Sequence, residues 1–295
     1  MVFCKDYKMK LKYINNSRLS AFLMVLFSII LYFSLQGIFN TREVPLVEGC
    51  KVASKVIGEG KVSSINGLTF VAVKVKEDKF SFEIKDKTGK DLDHFTLTHQ
   101  RAVHIFFISE DYQYYYHLHP KFRDGSWSID LPLMVKSNYN VYVDFEYKGV
   151  NYILKEEVGS LGSGLVEDWN QFPNYTLATS GEYTTKAHNM VLLSALEFGE
   201  PIVLDEFLGV VGHIVGINLK NGEYVHFHSV SLGAMAQCPG YLVPIEDKFI
   251  EDDLKAGYIH LMSNFKDSGR YRLFVQFMHQ GRVVTKEFTI EVKAS

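Results

Sequence analysis

Cysteine is scarce in this chain. Its 295 residues hold three, Cys4, Cys50 and Cys238. Three thiols do not make the disulfide framework of a small secreted domain, so an apolar core must hold the fold. Cys50 and Cys238 are free either to pair in an oxidising compartment or to remain two separate thiols. An excess of charge is missing too. The formal net charge is −3, with no basic surplus to suggest a nucleic-acid partner and no acidic tail to suggest disorder. The sequence-local signatures of catalysis are also absent. There is no His-Glu-x-x-His, no phosphate-binding loop, no Gly-x-Gly-x-x-Gly and no Gly-x-Ser-x-Gly. The run Gly159-Ser-Leu-Gly-Ser-Gly164 has no following Lys and no strand–helix setting, so it reads as a linker. No spacing of Asp, Ser and His singles out an acid–base set, and a non-enzymatic protein is expected.

Residues 19–39 contain no charged side chain at all. At about 1.5 Å rise per residue, such a run is long enough to cross a hydrocarbon core of roughly 30 Å. A cleavable signal peptide is the competing reading, but its apolar region is shorter, and residues 35–40 offer no small-residue cleavage site. The preceding residues 1–18 carry Lys5, Lys8, Lys10, Lys12 and Arg18 against one acid, Asp6. That basic flank keeps the N-terminus cytoplasmic and puts the bulk of the chain in the periplasm or outside the cell. The expected plan is a cytoplasmic tail (1–18), a transmembrane helix (19–39) and a linker (40–60). A first domain (61–158), a second linker (159–173) and a second domain (174–295) follow.

Both domains show alternation and turns and little helical periodicity. Phe80-Ser-Phe-Glu-Ile, Trp127-Ser-Ile-Asp-Leu and Val141-Tyr-Val-Asp-Phe-Glu-Tyr alternate as strands do. Tyr271-Arg-Leu-Phe-Val-Gln-Phe does the same in the second domain, and 190–197 fits either a strand or a short helix. Short strands with turn signals at this interval point to an all-β chain of two tandem immunoglobulin-like (cupredoxin-like) β-sandwiches.

One stretch is written twice. His104 opens an apolar run and is followed thirteen residues later by His117-Leu-His119; His213 opens another, followed thirteen residues later by His226-Phe-His228. Each copy reads as a β-hairpin. A two-residue turn at Glu110-Asp111 would pair Ser109 with Tyr112 and set His104 opposite His117, with His119 on the same face. The Asn221-Gly222 turn implies a shifted register in the second copy.

The residues 200–213, the Tyr-Val-His-Phe-His run ending at His228, Tyr271-Arg-Leu-Phe-Val-Gln-Phe, and Tyr116-His-Leu-His-Pro120 together resemble a group of bacterial envelope proteins. These carry tandem YtkA-like or heavy-metal-associated immunoglobulin-like domains. The resemblance implies handling of copper or another heavy metal. Ser229 stands where His-x-His-Pro is usual in that group.

Neutral imidazole suits Cu(II), Zn(II) and Ni(II), and a hairpin fixes three of them at little entropic cost. One copper or zinc site per domain is therefore expected, at His104, His117 and His119 and at His213, His226 and His228. His99 is a candidate fourth or supporting group for the first. Met235, Cys238, Met262, Met278 and His279 are candidate soft ligands near the second, although methionine usually fills gaps in a core. A different reading stands open beside this one. The histidines would be hydrogen-bonded scaffolding, and the sandwiches would present edges to an envelope protein partner.

Overall fold

The alternating stretches fold as antiparallel strands because period-two patterning gives each strand one face for a core. A computed structural model describes residues 56–57, 64–65, 67–76, 79–132, 134–162, 164, 172–186, 189–230 and 247–295. The tail, the expected transmembrane helix, Cys50, Met235 and Cys238 lie outside these residues.

The first half comprises β1 (Val56–Ile57), β2 (Ser64–Ile65), β3 (Leu68–Lys76), β4 (Lys79–Lys85), β5 (His104–Ser109), β6 (Tyr115–Leu118), β7 (Lys121–Arg123), β8 (Ser126–Asp130), β9 (Ser137–Tyr147) and β10 (Val150–Leu161). Two five-stranded sheets result, in the orders β1-β10-β9-β5-β6 and β2-β3-β4-β8-β7. Their facing sides share one core, with Phe80, Phe82, Ile84 and Trp127 from one sheet against Ile105, Phe107, Val141, Val143 and Phe145 from the other. Trp127 gives its indole N–H to Leu92 O at 2.9 Å, so the ring is buried without stranding its one polar atom.

The second half comprises β11 (Tyr175–Ser180), β12 (Asn189–Glu197), β13 (Glu200–Pro201), β14 (Gly212–Asn218), β15 (Tyr224–His228), α1 (Asp247–Ala256), β16 (Tyr258–Ser263), β17 (Gly269–His279) and β18 (Arg282–Val292). One sheet runs β15-β14-β17-β18, and the other centres on β12, paired with β11, β13 and β16. Residues 190–197, which fit strand or helix by pattern, form a strand hydrogen-bonded on both sides. The helix α1 has no counterpart in the sequence-based expectation. It ends at Gly257, whose φ is +70° and where a Cβ would come within 2.4 Å of Ile202 O. Only glycine fits that stop.

In β5 and β14 every residue is buried. A strand with one face in water would not be. Ile105 and Phe107 point into the first sandwich, while Phe106 and Ile108 point the other way. They join Tyr115, Tyr142, Val215, Ile217 and Phe274 in a third apolar cluster drawn from both sandwiches. Two stacked pairs span it. Tyr115 lies on Phe274 with ring centroids 4.8 Å apart and planes at 8°. Tyr224 lies on Tyr142 at 4.3 Å and 15°. Phe106 pairs with Tyr142 across β5 and β9 just as Val215 pairs with Phe274 across β14 and β17. The two stacks are therefore the same contact made twice, about a pseudo-two-fold relation between the sandwiches. Full burial of side chains of this size contributes about 1.5–3 kcal/mol each. The described residues accordingly form one compact unit.

Candidate metal centre

Five of the six histidines come from the strands that carry this interface, and His119 directly follows β6. Ile105 pairs with Leu118 and Phe106 with His117, which sets His104 opposite His119. In the second hairpin His213 pairs directly with His228, and Val215 with His226. Both copies thus have one register, and it is not the register that a two-residue turn gives. Ser109 N donates to Tyr114 O at 3.0 Å, so four residues form the first loop, and Tyr112 takes a left-handed φ of 58°. Asn218 N donates to Glu223 O at 2.8 Å, closing a loop of the same length. The slip from the expected register is two residues, which preserves the face. All six imidazoles therefore lie on the side of their sheet that meets the other sandwich.

Within each triad the candidate ligand nitrogens lie within 4.8 Å of one another. In the first, His104 Nε2 donates to Thr98 O at 2.9 Å. Gln276 Nε2 donates to Thr285 Oγ1, which leaves Gln276 Oε1 to accept from His117 Nδ1 at 2.8 Å. A neutral imidazole carries one N–H, so these outer bonds leave lone pairs on His104 Nδ1 and His117 Nε2. Those two atoms face each other at 2.9 Å, and His119 Nε2 lies 3.1 Å from His117 Nε2. Tetrahedral ligands at about 2.0–2.1 Å from an ion stand roughly 3.3 Å apart, close to this spacing.

The second triad repeats the arrangement. His213 Nε2 donates to Phe207 O at 3.2 Å, and His226 Nδ1 donates to Asp144 Oδ2 at 2.6 Å. His213 Nδ1, His226 Nε2 and His228 Nε2 are then buried with no hydrogen-bond partner. Leaving one such atom unsatisfied costs roughly 1–3 kcal/mol, so three together call for a shared partner. In both triads the free atoms are the same, Nδ1 of the first histidine and Nε2 of the second.

Burial favours the neutral form of His104, His117, His119, His213 and His228. This pushes His104 down to about 4 and His119 to about 3. His117, His213 and His228 are driven well below the ordinary histidine value, again chiefly by desolvation. Neutral imidazole is the form that ligates a metal.

His99 does not join the first triad as expected. It sits in a turn with φ 49° and lies against His228 of the second sandwich, with ring centroids 3.6 Å apart and planes tilted at 32°. Leu208 holds the corresponding turn position ahead of His213, with φ 58°. Ser229 secures the local backbone. Its hydroxyl accepts from Val211 N at 2.9 Å and from Gly212 N at 3.1 Å. It ties down the strand start beside His213 and leaves the triad intact. His279 Nδ1 is engaged by Val203 O at 2.6 Å, away from the triads. Met262 pairs with Met190 in the outer sheet of the second sandwich. Asp144 and Gln276 were not singled out by pattern. Their signal is a polar residue inside an otherwise apolar strand run, Val-Tyr-Val-Asp144-Phe and Leu-Phe-Val-Gln276-Phe.

Fold and site together define a pair of β-sandwiches joined face to face through an apolar cluster and a group of histidines. A domain family of unknown function, DUF8832, matches residues 170–294. No curated protein matches the chain. Among solved structures it is similar to the FN1-FN3 domains of chicken CNTN1, at 10% identity over 82% of this chain and 69% of that one, with a TM-score of 0.22. Escherichia coli alpha-2-macroglobulin activated by porcine elastase matches at 13% identity over 83% of this chain and 20% of that one, TM-score 0.22. The BSP domain of a biofilm associated protein matches at 9% identity over 75% and 28%, TM-score 0.19. The chain thus spans a minor part of the last two, and scores this low add nothing to the fold described above.

Proposed function

We propose that this protein binds transition-metal ions through its two histidine triads, as a non-catalytic, membrane-anchored protein whose sandwiches lie outside the cytoplasm. The observation that carries the reading is the set of lone pairs. Outer hydrogen bonds fix the tautomers of His104, His117, His213 and His226, and the nitrogens left over converge on one another or have no partner. A carbonyl, amide or carboxylate behind a ligating histidine is how metal sites orient their imidazoles. Copper leads the affinity order for such donors, and zinc follows. The envelope placement rests on residues 19–39 and on the resemblance described above.

Isothermal titration of the full chain with Cu(II) and Zn(II) tests the reading. Binding is expected with both, tighter for Cu(II), and His117→Ala with His119→Ala should remove part of the stoichiometry. Unchanged stoichiometry in that variant, with a lower melting temperature in chelator, would assign the histidines to scaffolding instead.

A further inference from the structure

We propose that the two triads are halves of a single dinuclear centre that neither sandwich can complete alone. This deepens the metal-binding reading and rests on it. The sequence pattern suggests one independent site per domain, but three contacts cross between the sandwiches at the ligands themselves. Asp144 sits in β9 of the first sandwich, opposite His104, and holds His226 of the second. Gln276 sits in β17 of the second, opposite His213, and holds His117 of the first. Each domain therefore orients a ligand of the other domain's triad through the residue paired with its own first histidine. The third contact is His99, from the first sandwich, lying on His228 of the second.

The distances agree. Across the triads, ring centroids are 5.5 Å apart for His117 and His213, 6.0 Å for His104 and His213, and 6.1 Å for His104 and His226. Within the second triad the span reaches 6.3 Å, between His213 and His226. The gap between the sets is no wider than one set. Ions held by triads this close would be neighbours within one centre, the arrangement that two-metal sites use. The ligand class is a pair of first-row transition-metal ions, each bound by three imidazoles, with Asp144 as a carboxylate in contact with the ligand set.

Electron paramagnetic resonance of the full chain titrated with Cu(II) tests this, read beside total bound copper. The expected result is two ions per chain whose spins couple, so that the integrated signal falls well below two spins as the second ion binds. A half-field transition, or loss of signal, should accompany it. Two ions with two isolated spectra would overturn the shared centre and leave metal binding standing. One ion per chain, held by imidazoles from both triads, would overturn it as well. No bound copper would remove both readings. As a second variant, Gln276→Leu should weaken the ion held by His104, His117 and His119 about 10–100-fold, although the substitution lies in the other sandwich. Unaltered affinity in a folded Gln276→Leu chain would show that the triads are independent.

Discussion

At the scale of single residues, protonation separates the metal-free protein from an ordinary β-sandwich. His99, His104 and His119 are held down to about 3, about 4 and about 3, chiefly by burial. Unfolded, each would titrate near about 6.5. The folded state therefore binds fewer protons than the unfolded state between those limits. The stability these groups contribute is present above about pH 6.5 and is lost as pH falls through the folded values, from about 4 to about 3. Thermal unfolding in chelator at pH 7.5, 6 and 5 should show the midpoint dropping stepwise, and an unchanged midpoint would mean the rings are not buried neutral. Two tyrosines offer the opposite test. The hydroxyls of Tyr115 and Tyr224 are buried without a hydrogen-bond partner, and burial pushes both well above the usual phenol range. Removing an unpaired buried hydroxyl relieves a cost of about 1–3 kcal/mol. Tyr115→Phe and Tyr224→Phe should each raise the denaturation midpoint while leaving the stacks on Phe274 and Tyr142 in place.

At the scale of elements, the hairpins show what a sequence does and does not disclose. The six histidines were legible from the thirteen-residue spacing, and the common face of His104, His117 and His119 from the period of two, while the Asn221-Gly222 turn left the facing of the second hairpin open. The register was not, because Glu110-Asp111 resembles a two-residue turn while the chain closes with four. A slip of two kept the face, whereas a slip of one would have sent every ring into the other layer. Asp144 and Gln276 were visible only as polar breaks in apolar strands, since their partners lie 82 and 159 residues away. The side of the sheet they serve follows from the pairing of β9 with β5 and β17 with β14, which pattern alone does not supply. Strand β14 has its own constraint. A Cβ on Gly216 would lie 2.6 Å from Leu273 Cδ2 and 2.8 Å from Val225 Cγ2. Gly216→Ala should therefore destabilise by about 1–3 kcal/mol through overpacking, measured by chemical denaturation. Its neighbours Val215 and Ile217 would be displaced with it, so weaker metal binding should accompany the loss.

At the scale of the whole molecule, the apolar cluster and the histidine centre depend on one another. Tandem domains usually move unless a large apolar interface joins them. Here Phe106, Ile108, Tyr115, Tyr142, Val215, Ile217 and Phe274 form that interface, and the triads lie on the same strands. Phe274→Ala removes the ring under Tyr115, a change costing about 3–5 kcal/mol in a packed core. It should lower affinity at both triads, because it loosens the contact that brings Asp144 to His226 and Gln276 to His117. The sequence period announced two β-sandwiches. That they meet through the histidine faces was not legible, because a fully buried strand such as β5 looks the same whether its second face meets a sheet or a partner.

The most direct measurement of what these histidines do is metal-edge X-ray absorption on the full chain loaded with Cu(II) or Zn(II). Bound metal with a first shell of imidazole nitrogens at about 2.0–2.1 Å, three to each ion, and the outer-ring scattering of histidine is the expected result. A shell of oxygen or sulfur alone, or an edge no stronger than that of the chain with all six histidines replaced by alanine, would contradict it.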